Sequence, residues 1–264
     1  MAGWAISIPG AVAHAFGLLW RAWRRAWLAL ILASAAAGAS LQWATIHGWA
    51  AATPLAVAAV VLVEVAAAAA LIRLALGKDT VGPRWGPDEW RILAVGVLNS
   101  LLALVLVLLL LVVIVFMAYG VAAAGRGFAT VEPATWAGAV DGRGRVVIGA
   151  VATVGVGAIV WVMTRISLAP VATVARGRVQ VLSTWPLARS RVLPLLAATV
   201  WVALTPAALC LLLWSVARFT YPGEFWVTAI VHLGQGLVLT GIWLPLKVGV
   251  MSYFYARTDV DSAA

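Results

Sequence analysis

The sequence predicts an all-α fold: a polytopic transmembrane helix bundle of six spans, with amphipathic interfacial helices on the cytoplasmic side. Three observations predict it. Hydrophobic residues make up 64% of the 264-residue chain and charged residues only 10%, against about 45–50% and about 25% in soluble domains. The few charges leave apolar runs of roughly 18 residues or more, the length that crosses hydrocarbon. The basic residues also alternate sides: with six spans, about fourteen of them fall on one side and about four on the other, as the positive-inside rule requires. An even number of spans then puts both termini in the cytoplasm. The net charge of +9 belongs to this asymmetry and to anionic headgroups, not to nucleic acid, because no basic soluble domain is present to bind it.

Residues 1–26 read as a cytoplasmic interfacial helix. At about 100° per residue, Val12, Phe16, Leu19, Trp20, Trp23 and Trp27 share one arc, while His14, Arg21, Arg24 and Arg25 fall outside it. Pro9 suits the first helical turn, where its missing N–H costs nothing. Such a helix would lie with its aromatic stripe in the acyl boundary, and Arg21, Arg24 and Arg25 would meet lipid headgroups or a partner.

The six-helix domain then occupies residues 27–255. The first span runs from Trp27 to Ile46. Ala33-Ser34-Ala35 resembles a signal-peptide cleavage site, but apolar character continues past it, so an uncleaved helix is expected. The second span, Pro54 to Leu76, carries Glu64 near the bilayer middle. A carboxylate there must protonate or find a partner. Arg165 and Lys247, near the inner ends of the fourth and sixth spans, are the candidate partners, and Asn99 adds a polar group two turns into the third. The cluster Glu64, Asn99, Arg165 and Lys247 is either a structural ion pair or a proton- or substrate-coupled site.

The third span, Ile92 to Ala124, is too long for one perpendicular crossing. The fourth, Val146 to Leu168, repeats small residues at Gly149, Thr153 and Gly157, a helix-packing pattern. The fifth, Val192 to Val216, contains Pro206 and should bend there. The sixth runs from Trp226 to Leu246 with an extension to Tyr255, and His232 and Gln235 in it suit interhelical hydrogen bonds. Residues 256–264 form a cytoplasmic tail. The lone Cys210 excludes an intrachain disulfide and reads as a small buried hydrophobe.

Between the fourth and fifth spans, residues 169–191 carry Arg176, Arg178, Arg189 and Arg191 without an acid, interleaved with Val174, Val179, Val181, Leu182, Trp185 and Leu187. This predicts short helices on the membrane surface. Ser183 or Thr184 is placed to cap a turn at Pro186. The string Arg165-Ile166-Ser167-Leu168-Ala169-Pro170, with the following Ser183, Trp185 and Arg189, resembles a feature of uncharacterised bacterial six-helix inner-membrane proteins. It is weakly similar to the membrane domain of some glycerophosphodiester phosphodiesterases. The similarity covers about thirty residues and transfers no catalytic residue.

No Gly-rich phosphate loop with Lys, His-Glu-x-x-His or Gly-x-Ser-x-Gly occurs. Neither catalytic residues nor a metal or cofactor is therefore expected. The expectation is a non-enzymatic structural or accessory protein of the bacterial inner membrane. Its partners would be anionic lipids and another membrane protein or a second copy of itself. The alternative is a small transporter or permease that uses Glu64 as its coupling residue.

Overall fold

In the computed structural model the described residues are 7–48, 54–78, 82, 84–124, 140–188, 191–220 and 224–262. They are helical almost throughout: α1 (Ile8–Arg25), α2 (Trp27–His47), α3 (Pro54–Ala75), α4 (Pro87–Ala124), α5 (Gly142–Ile166), α6 (Ala169–Arg176), α7 (Val192–Thr220), α8 (Phe225–Gly236) and α9 (Leu244–Ser262). A π-helical segment, Leu237–Trp243, joins α8 to α9 without a break. Six helical stretches among the described residues are long and apolar enough to cross a membrane: Trp27–His47, Val57–Ala75, Pro87–Ala124, Gly142–Arg176, Val192–Val216 and Phe225–Thr258. The protein is thus a multi-pass membrane protein by helix length and hydropathy.

The chain divides into two compact units, residues 1–96 with 165–264, and residues 97–164. In the larger unit α1 starts where the sequence places it. Ser7 caps it by accepting a hydrogen bond from the Gly10 N–H at 3.1 Å, and Pro9 sits in the first turn. Its buried face, however, is Ala11, Ala15, Leu18 and Ala22. These residues lie three or four apart, on one side of a helix. Their small side chains let α1 approach α9 closely; a Cβ on Gly249 would come within 2.5 Å of the Ala15 Cα. The aromatic stripe is divided. Phe16, Trp20 and Trp27 stay exposed, whereas Trp23 is half-buried and donates from Nε1 to the Gly241 carbonyl at 3.0 Å.

A single residue, Ala26, separates α1 from α2. α2 packs on α8 and the π segment through glycines. A Cβ at Gly38 would meet the Leu233 Cα at 2.7 Å, and one at Gly236 would meet the Gly38 nitrogen at 2.5 Å. At this contact Ser34 Oγ donates to Thr240 Oγ1 at 2.8 Å, and Thr240 donates in turn to the Gly236 carbonyl. α7 continues through Pro206 as one helix.

Between α5 and α7, α6 is built into the core of the larger unit, while Arg176 to Val179, Leu182, Ser183 and Pro186 are exposed. Ala169, Val171, Ala172, Thr173 and Val174 of α6 are buried, and the helix ends on Gly177, whose φ of 63° is the left-handed conformation that favours glycine. Ser183 and Thr184 do not cap a turn at Pro186. They lie in a 3₁₀ turn, Leu182–Thr184, where Ser183 Oγ donates to Gln180 Oε1 at 2.8 Å and Thr184 Oγ1 to the Val181 carbonyl at 2.6 Å.

In the smaller unit the glycine contacts fall elsewhere than the sequence suggests. Among the described residues nothing lies near a Cβ built on Gly149 or Gly157, whereas one on Gly155 would meet Leu110 and one on Gly144 would meet Val121. Positions 144 and 155 are eleven residues, about three turns, apart. The α4–α5 hairpin closes along that line, and the predicted small-residue face is open. No residue in the most apolar stretch of either helix is buried within the protein. That is the expected condition of surface that meets lipid tails.

Candidate functional site

The basic end of the larger unit gathers most of its polar structure. Arg73, at the end of α3, has no exposed side-chain surface, and its Nη1 lies 2.6 Å from Oε1 of Glu89, which is 1% exposed. Arg73 Nη2 donates to the Gly82 carbonyl at 3.2 Å, and the other Glu89 oxygen accepts from the Gly86 N–H at 3.0 Å. Asp88 extends the pair, 3.8 Å from Arg73 and 3.2 Å from Arg91. The acids fall in the first turn of α4, where the helix dipole favours negative charge. Together these bonds pin both ends of the 82–86 segment. Lys78 Nζ reaches the Val174 carbonyl near the C-terminus of α6 at 2.9 Å, a C-terminal cation in its favoured place.

A second knot surrounds Gln180, itself buried. Its N–H donates to Thr173 Oγ1 at 3.0 Å, and its Oε1 accepts from Arg176 at 3.3 Å as well as from Ser183. The Arg165 guanidinium lies 4.7 Å from the centre of the Trp185 ring, a cation–π stack. Arg178 is exposed and Arg191 half-buried, while Arg189 lies outside the described residues. Of the basic residues expected to meet headgroups, Arg21, Arg24 and Arg25 form the clearest group. All three are exposed, and together they line an open concavity of about 550 Å³. Arg21 Nε donates to the Gly17 carbonyl at 3.4 Å, and no acid is within ion-pair distance of the three among the described residues.

His14 faces α9 from the same helix. Its Nε2 lies 3.4 Å from Ser252 Oγ, and its ring is tilted 5.8 Å from that of Tyr253, over which Arg257 stacks at 3.4 Å. Burial, then the positive charges of Arg21 and Arg257, hold the His14 imidazole below its ordinary pKa.

Of the intramembrane residues, Glu64, Arg165 and Lys247 belong to the larger unit and Asn99 to the smaller. Glu64 of α3 and Lys247 of α9 are both partly buried and near enough for their charges to act on each other, though no ion pair joins them among the described residues. Asn99 belongs to the smaller unit, and its Oδ1 is buried without a hydrogen-bond partner among the described residues. Compared with known protein families, curated proteins and solved structures, the chain matches none.

Toward the other end of α2, His232 Nδ1 donates to Gln42 Oε1 at 2.7 Å, the interhelical role its position suggested. Among the described residues no three His, Cys, Asp or Glu side chains converge as metal ligands would. Sequence reasoning missed the Arg73–Glu89 pair and the Gln180 hub. For the first, the available signal was Gly86-Pro87-Asp88-Glu89, a helix start with acids in its first turn.

Proposed function

We propose that this protein is a non-enzymatic accessory module of a bacterial inner membrane that holds anionic lipid at its basic side, and that this side is cytoplasmic. The observation that carries the reading is the Arg21, Arg24 and Arg25 group. Three exposed guanidiniums, without acidic partners among the described residues, line an open concavity. Exposed Trp20 and Trp27 flank them, and tryptophan favours the headgroup level of a bilayer. Each such cation near an anionic surface contributes about 1 kcal/mol. The local resemblance of residues 165–189 to bacterial inner-membrane proteins fits this placement and adds no activity.

The test is native mass spectrometry of the purified chain released from nanodiscs of mixed phosphatidylglycerol and phosphatidylethanolamine. The wild type should retain phosphatidylglycerol preferentially. Replacing Arg21, Arg24 and Arg25 together by Gln should abolish most of that preference. Equal retention of both lipids by the wild type would remove the proposal.

A transport reading draws on a different observation, the partly buried Glu64 within the electrostatic reach of Lys247. It requires water at Glu64. Labelling of Glu64 by a water-soluble carbodiimide in intact membranes favours transport; protection of Glu64, together with labelling of exposed Glu224 as a control, rejects it.

A further inference from the structure

α2 and α3 leave a groove between them at the basic end of the larger unit, with a volume of about 290 Å³. Its floor is made of small side chains, Ala29 and Ala67, both buried, and its rim of Leu32 and Leu62, both exposed. Arg84 and Trp85, from the segment between α3 and α4, stand at its mouth. We propose that this groove holds one acyl chain of an anionic phospholipid, whose phosphate is engaged by Arg84.

The occupant follows from shape, chemistry and placement. Small-molecule sites run roughly 300–1,000 Å³, so this groove is at the lower limit and takes a single slender chain. The walls belong to two membrane-crossing stretches, Trp27–His47 and Val57–Ala75. A ligand in the groove therefore starts at the end of the spans and runs along them, as an acyl chain does. The mouth combines a guanidinium, the side chain best suited to phosphate, with an exposed indole.

The mouth is also built. Arg73 holds the Gly82 carbonyl, and Glu89 holds the Gly86 N–H. Trp85 rests edge-on against Trp90 of α4, with ring centres 5.2 Å apart. The buried Arg73–Glu89 pair thus holds Gly82 and Gly86, on either side of Arg84 and Trp85. This is a use for a charge pair that is otherwise expensive to bury.

This inference deepens the lipid-binding reading by naming a second, stoichiometric site away from the exposed Arg21, Arg24 and Arg25 group. The experiment is photo-crosslinking of the full chain in nanodiscs, with phosphatidylglycerol bearing a diazirine on one acyl chain. Crosslinked peptides are mapped by mass spectrometry. Labels should concentrate on α2 around Ala29 and Leu32 and on α3 from Leu62 to Ala67. Unlabelled phosphatidylglycerol should compete, and phosphatidylethanolamine should not. Arg84→Gln should lower groove labelling about fivefold, the loss expected of one cation at a headgroup.

Ala66→Leu should fill the groove and stop the labelling. Should that variant fail to fold, Leu62→Trp obstructs the same groove from an exposed rim position. The triple Gln variant at Arg21, Arg24 and Arg25 should lose bulk phosphatidylglycerol preference and keep the groove label. Bulk preference kept by the triple Gln variant, or absent from the wild type, with groove labelling intact sinks only the wider reading. Labelling spread evenly over all lipid-facing helices, or indifferent to both Arg84→Gln and the groove-filling variants, overturns the site.

Discussion

Arg73 is the most completely buried charged side chain described, and its energetics follow from what surrounds it. A guanidinium withdrawn from water is tolerated only with an opposite charge and satisfied donors. Glu89 and the Gly82 carbonyl supply these. Removing one partner leaves the other charge buried alone, at a cost of about 3–5 kcal/mol, while replacing both with apolar groups costs far less. Arg73→Met should therefore strongly lower the thermal unfolding temperature of the protein in detergent, and Arg73→Met with Glu89→Leu should recover much of the loss. Equal destabilisation by the single and double variants would show that the charges do not act as a pair. His14 gives a pH dependence of defined sign. Its folded-state pKa is held down by burial and by Arg21 and Arg257. The unfolded chain takes up a proton near pH 6.5, its ordinary value, while the folded chain still resists it. The α1–α9 contact is thus fully stabilised above about pH 6.5 and weakens as pH falls from there toward the folded-state pKa. A His14→Gln variant should lose this part of the acid sensitivity; an unchanged stability profile between about pH 7 and pH 5 would count against it. Neither residue's role was legible in the sequence. In the sequence Arg73 lies near the end of the second span and Glu89 just before the third, with nothing local to mark them as partners, and only the succession of α3 and α4 brings them together.

The elements themselves were largely legible, because apolar runs and Pro or Gly breaks are local properties. What escaped was which faces pack. In α1 the aromatic residues carry most of the apolar surface, so they dominate any periodicity reading. Yet the protein buries the alanine face at 11, 15 and 22 together with Leu18, since backbone proximity to α9 demands small side chains. In α5 the reverse happened: in the regular small-residue repeat at 149, 153 and 157, Gly149 and Gly157 have no neighbour among the described residues and Thr153 is exposed, while Gly144 and Gly155 make the contacts. Spacing names candidate faces, and the neighbouring helix chooses among them. The α2–α8 contact offers the sharpest test at this scale. Gly236 and Gly38 meet backbone to backbone, so an added methyl has no flexible side chain to displace. Gly236→Ala should destabilise by about 1–3 kcal/mol, the usual cost of overpacking, read by thermal unfolding. Gly149→Ala, in open space and mid-helix, should be neutral or slightly stabilising. A reversal of that order would mean that α2 and α8 are not in this contact.

At the scale of the whole molecule, the arrangement of charge along the chain and the succession of spans make one joint prediction. Crossing helices must alternate in direction, so the end of α1, the α3–α4 connection and the α6 segment share one side with the end of α9 if all six stretches cross. The connections from α2 to α3, α4 to α5 and α7 to α8 share the other. That alternation is what sorts the basic residues so unevenly, and a different span count would scatter them. The prediction is tested with single cysteines in a Cys210→Ser background, labelled by a membrane-impermeant maleimide before and after lysis. With the basic side inward, as the positive-inside rule expects and as proposed above, Arg25→Cys and Arg178→Cys should be shielded in intact cells and react after lysis. Asp141→Cys and Glu224→Cys should react in intact cells. Uniform reversal of this pattern would preserve the six spans and invert the protein, moving the proposed headgroup sites to the outer leaflet. Opposite behaviour of Arg25→Cys and Arg178→Cys would instead require an odd number of crossings between them, and with it a different bundle.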